Sequence, residues 1–137
     1  MNAGSVFVVD DDPDCLVGLG ELLEDEGFRP SLFRCAADVL GALAASAEMP
    51  SVIVLDLHLP DVSHGDLIAM FEAHADWSRV PQIVFTAWND ASARAGLGRP
   101  VVRKPDVESL IGAIARLCRR PPRSAPRDAR RAPPTDR

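Results

Sequence analysis

Cysteine is scarce in this sequence and lysine scarcer still. The three cysteines, Cys15, Cys35 and Cys118, are odd in number and far apart, with no CxxC pair or Cys/His cluster. That spacing argues against a zinc site, and buried free thiols in a reducing compartment are the expectation. Apolar stretches are short. None approaches 18 residues, and the N-terminus lacks a basic region followed by an apolar run. Neither a membrane span nor a secretory signal is expected, and the cytoplasm is the default location. His58, His64 and His74 lack ligand spacing and read as solvated or capping groups. The GLG triplets at 18–20 and 96–98 lack the third glycine of a dinucleotide fingerprint. Ser63 and His64 are neighbours, a placement that does not by itself set up a nucleophile–base hydrogen bond.

What remains is an ordinary globular composition. The 137 residues suit one domain. With 47% apolar and 26% charged residues, the chain can build a core without disulfides or a structural metal. Charge is uneven. Residues 121–137 carry five Arg, two Asp and five Pro, a net +3 against −8 for the rest. With almost nothing apolar to bury, this tail is expected to be disordered, and residues 1–120 to form the domain. A basic tail suits an acidic partner or simple solvation.

Short apolar runs alternate with amphipathic segments over 1–120. Strands are predicted at Ser5–Val9, 31–33, Val52–Leu55, 83–85 and 101–102. Asp12 and Pro13 open the first helix as cap and first residue, and Gly27 ends it. Its stripe is Cys15, Leu16, Leu19, Leu22 and Leu23. Val39, Leu40, Leu43 and Ala47 mark a second helix, and Leu67, Ile68 and Phe71 a third. Val107, Leu110, Ile111, Ile114 and Leu117 mark a last one. Val52–Leu55 shows no alternation, as a strand covered on both faces should. The βα order, repeated five times, predicts an α/β fold with a five-stranded parallel sheet and helices on both faces.

Polar residues collect at the strand ends, where open α/β sheets bind ligands. The first strand ends in Asp10, Asp11 and Asp12, the third in Asp56, the fourth in Thr86, and the fifth in Arg103, Lys104 and Pro105. Lys104 is the only lysine beside fourteen arginines, so generic surface basicity explains it poorly. Carboxylates crowded together need a cation, and an all-oxygen set suits Mg²⁺. A carboxylate is also a competent nucleophile toward phosphorus. Lys104 then offers counter-charge and Thr86 a hydroxyl donor for the incoming phosphoryl group.

On these residues the chain resembles the receiver domain of bacterial two-component response regulators. The matching motifs are VVDDDP at 8–13, VLDLHLP at 54–60, FTA at 85–87 and RKP at 103–105. The resemblance implies a flavodoxin-like (βα)5 fold with strand order 2-1-3-4-5. It implies phosphorylation on Asp56, with Asp10, Asp11, Asp56 and the backbone carbonyl of His58 around Mg²⁺, and Thr86 and Lys104 on the phosphoryl group. Pro105 corresponds to a residue that shapes the turn after the fifth strand, often through a cis peptide bond. The implied donor is a sensor histidine kinase or a histidine phosphotransfer protein. Such a domain promotes only its own phosphorylation and dephosphorylation. Without an output domain, a stand-alone receiver would signal through an unidentified downstream protein in a phosphorelay, with no direct DNA binding and no membrane association.

Three departures from the family pattern stand out. Without a gap, His64 falls on a usual glycine, which a one-residue insertion would restore. Val101 replaces the family's switch aromatic, and Lys104 follows Thr86 by only 18 residues. Gly96, Gly98 and Pro100 discourage helix extension, so the fourth helix is expected to be short or missing, at most about two turns near 90–95. Two alternatives follow. One is a phosphorylation-independent interaction module with a receiver fold. The other is a phosphatase with Asp56 as nucleophile, but such enzymes want a second Asp two positions later, where His58 stands.

Overall fold

A computed structural model describes residues 4–56, 59–87 and 100–118. The elements run β1 (Ser5–Val9), α1 (Pro13–Asp25), β2 (Arg29–Phe33), α2 (Ala36–Ala45), β3 (Val52–Leu55), α3 (His64–Ala73), a 3₁₀ turn (Trp77–Arg79), β4 (Gln82–Thr86), β5 (Val101–Arg103) and α4 (Val107–Cys118). All strands are parallel, in the order β2-β1-β3-β4-β5. The flavodoxin-like order is therefore the observed one. The expected helix near 90–95, the backbone of His58 and the tail lie outside the described residues.

Alternation along the central strands divides the core in two. Val6, Val8, Val54 and Ile83 face α1 and α4, where Leu16, Leu19, Leu23, Leu110 and Ile114 meet them. Phe7, Val9, Ile53 and Leu55 face the other way, against Val39 and Leu43 of α2 and Leu67 and Phe71 of α3. The four residues of β3 are at most 2% exposed, as expected of a strand covered on both faces. Helix α1 is set as its sequence specifies. The Asp12 side chain accepts from the Asp14 and Cys15 amides, Pro13 stands in the first turn, and Gly27 takes a φ of 94° beyond the C-cap.

Four expectations need correction. Strand β2 begins at Arg29, two residues early, and includes Pro30; as an edge strand it tolerates a residue without an N–H. Helix α2 ends at Ala45, where Ser46 turns extended at ψ 137°, leaving Ala47 outside the stripe. Val107 is 36% exposed, the rest of the first turn of α4 is exposed with it, and burial along that helix begins at Leu110. The three cysteines are free but only partly buried, each on the margin of a helix rather than at its centre.

Candidate functional site

Asp10, Asp56 and Lys104 sit just past the ends of their strands, and backbone ladder hydrogen bonds pin them there, while Thr86 is the last residue of β4. The Asp10 amide donates to Phe33 O at 3.0 Å, the Asp56 amide to Val9 O at 2.9 Å, and the Lys104 amide to Thr86 O at 2.9 Å. Parallel strands thus deliver the two carboxylates and the ammonium to the same edge, although 94 residues separate Asp10 from Lys104. Asp10, Asp56 and Thr86 are buried, and Asp11 is exposed. Ligand oxygens of Asp10, Asp11 and Asp56 lie within 4.8 Å of one another. The Lys104–Pro105 peptide bond is cis, in accord with the expectation for that turn.

Lys104 supplies positive charge to this cluster. Its Nζ donates to Asp10 Oδ2 at 2.6 Å and lies 3.6 Å from Asp56 Oδ2. It also stands 5.8 Å from the centroid of the Phe85 ring, within cation–π range. Asp10 Oδ1 accepts from the Asp12 amide at 3.0 Å. Burial works to raise the Asp10 carboxyl. Donation from Lys104, from the Asp12 amide and from the Cys15 thiol outweighs it and holds the group below the ordinary aspartate value. Burial likewise works against the Lys104 charge, but the Asp10 hydrogen bond and the Asp56 charge raise the ammonium above its usual value. The Cys15 thiol, pressed first by burial and then by Asp10, is pushed up to about 11.

The donor set fits a small hard cation: carboxylate oxygens only, one edge open to solvent, and no sulfur or imidazole ligand among the described residues. Beside it, between α1 and the turn into α4, lies a cavity of about 230 Å³ lined by Cys15, Leu19, Leu22, Phe85, Pro105 and Val107. Composition and motif spacing pointed to neither Cys15 nor Asp61 as a polar partner. Cys15 belongs to the apolar stripe of α1, and only its place at the mouth of that helix puts the thiol beside Asp10. Asp61 accepts from the backbone of α2, a contact between residues 25 positions apart that no local pattern signals. Two further polar candidates, Ser63 and His74, serve local structure. Ser63 Oγ caps α3 by accepting from the Asp66 amide at 3.1 Å. His74 Nδ1 accepts from the Asp76 and Trp77 amides, and its ring stacks on Trp77 at 3.9 Å. His74 is thus a capping residue.

An open parallel sheet with an acidic cluster and one lysine at its carboxyl edge defines a class, and comparison with known proteins gives the same one. Residues 6–103 match the response regulator receiver domain, and the chain belongs to that family, the receiver modules of two-component signalling. Among its relatives is an uncharacterised 14.6 kDa protein of Leptolyngbya boryana, 29% identical over 82% of this chain and 88% of that one. The transcriptional regulatory protein KdpE of Mycobacterium tuberculosis is 38% identical over 64% of this chain. The match spans only 36% of KdpE, about a third of its length. The beryllofluoride-activated receiver domain of DrrB superposes with a TM-score of 0.71 at 27% identity, over 86% of this chain and 99% of that one. A putative response regulator from Chloroflexus aurantiacus shares the fold, with a TM-score of 0.78 at 20% identity over 87% of this chain and all of its own. No helix among the described residues is long and apolar enough to cross a membrane.

Proposed function

We propose that the chain accepts a phosphoryl group on Asp56 in a Mg²⁺-dependent reaction. The observation that carries this reading is the convergence of Asp10, Asp11 and Asp56 within 4.8 Å, with the Lys104 ammonium against two of them. Asp10, Asp11, Asp56 and the His58 carbonyl would hold the ion. When bound, it supplies charge neutralisation for the carboxylates and the phosphoryl oxygens. An Asp56 carboxylate oxygen forms the new bond to phosphorus as the bond from phosphorus to the donor breaks, and the released group leaves with the electron pair. Lys104 then turns from the carboxylates to a phosphoryl oxygen, and the Thr86 hydroxyl donates to another. The donor is a sensor histidine kinase or a histidine phosphotransfer protein, or a small acyl phosphate in the test tube. The chain catalyses no reaction beyond its own phosphorylation and dephosphorylation. Residues 1–120 act as the receiver unit in the cytoplasm and signal to a partner protein rather than to DNA.

A beryllofluoride titration checks this reading. With Mg²⁺ present, amide resonances around Asp56, Thr86 and Lys104 should shift to a saturated second state, and Asp56→Asn should abolish the shift. An unchanged spectrum would leave the phosphorylation-independent interaction module as the better account.

A further inference from the structure

Asp61 holds two amides that belong to another element. Its Oδ1 accepts from the Ala36 amide and its Oδ2 from the Ala37 amide, both at 2.9 Å, across 25 and 24 residues of sequence. These are first-turn donors of α2, whose own N-cap residue, Cys35, makes no side-chain capping bond. A distant carboxylate therefore does the work that a local Ser, Thr or Asp does at most helix starts.

The contact also closes a ring around the site. Asp56 leaves β3 with its amide on Val9 O, and Asp10 leaves β1 with its amide on Phe33 O at the end of β2. From Phe33 the chain reaches α2 in two residues, and Asp61 ties α2 back to the segment that follows Asp56. The segments after β1 and β3 are thus joined directly through the sheet, and indirectly, by way of β2 and α2, through Asp61. Resting on the phosphoacceptor reading, we infer that Asp61 is a positioning residue for that site. It fixes the chain that follows Asp56 against α2, so that Asp56 is presented in one geometry, and it makes the start of α2 respond to the state of Asp56.

The test compares wild type, Asp61→Ala and the double variant Cys35→Asp/Asp61→Ala, which restores a local cap on α2 without restoring the tether. The phosphorylation rate is measured with Mg²⁺ and acetyl phosphate, together with the Ala36 and Ala37 amide shifts on adding beryllofluoride. Asp61→Ala should slow phosphorylation roughly tenfold, the scale seen when an outer partner of a metal site is lost. It should also remove the beryllofluoride response at both amides. The double variant should recover thermal stability but neither of these. Recovery of the wild-type rate along with stability would overturn the inference, because capping alone would then explain the contact. So would an Asp61→Ala variant that matches wild type in rate and in amide response. If wild type itself takes no phosphoryl group, the underlying reading fails first, and this inference with it.

Discussion

Lys104 stands closer to Asp10 than to Asp56, at 2.6 against 3.6 Å, so the phosphoacceptor is the less tightly engaged of its two partners. Coulomb attraction between unit charges at this range is large even at a moderate effective dielectric. On the proposed function, a cation held by Asp10, Asp11 and Asp56 would supply part of the charge that Lys104 now gives the carboxylates, leaving the ammonium for a phosphoryl oxygen. The same charges predict how stability follows pH. Asp10, Asp61 and Asp106 are all held below the ordinary aspartate value. For Asp10, hydrogen bonds and the Lys104 charge overcome burial. For Asp61 the cause is the Ala36 and Ala37 amides, and for Asp106 it is Ser109. A carboxyl with a depressed folded value stabilises the fold fully above its unfolded value of about 3.9, and that contribution is lost as pH falls through the folded value. Lys104, raised above the usual lysine value, loses its contribution only at strongly basic pH. Urea denaturation should therefore give a flat midpoint from neutral pH down to about 5, and a fall below about 4 that is shallower in Asp61→Asn. A midpoint that rises on acidification would contradict these assignments.

At the scale of elements, strand positions were legible because each apolar run is short and bounded by polar strand ends. Boundaries failed where a neighbour decides them. Pro30 enters β2 only because that strand lies at the sheet edge, and the carboxylate on the first amides of α2, which no local residue announces, comes from Asp61 far along the chain. Helix α1 shows the same division. Its cap at Asp12 and its stop at Gly27 are written locally, but the fate of its glycines is not. A Cβ on Gly18 would meet no atom within 4 Å, whereas one on Gly20 would come within 3.0 Å of Leu32 Cδ1. Glycine inside a helix costs about 0.8–1 kcal/mol relative to alanine. Gly18→Ala should therefore raise stability by roughly 0.5–1 kcal/mol. Gly20→Ala should gain less, since Leu32 must give way. Chemical denaturation of the two variants checks the order, and a destabilising Gly18→Ala would mean that the hollow beside α1 is filled.

For the whole molecule, the alternation of β and α segments with polar strand ends was enough to anticipate a parallel sheet and the acidic cluster at its edge. The strand order came from the family resemblance and agrees with the observed pairing. What the sequence could not carry was the pairing of individual charges, such as the preference of Lys104 for Asp10, because that is settled by side-chain reach across three strands. Among the described residues the core has two halves, closed by α1 with α4 and by α2 with α3. We propose that residues 121–137 add nothing to it. Their deletion should move the unfolding free energy by no more than about 0.5 kcal/mol. A large fall in melting temperature on truncation would show that the tail packs on the domain.

The most direct test of the central claim is to locate the phosphoryl group. Wild type and Asp56→Asn are incubated with acetyl phosphate, with and without Mg²⁺, and the modified peptide is mapped by mass spectrometry. One phosphoryl group, labile to alkali and hydroxylamine, should appear on Asp56 of the wild type, dependent on Mg²⁺ and absent from the variant. Phosphorylation of Asp56→Asn at the wild-type rate, or labelling of the wild type indifferent to Mg²⁺, would contradict it.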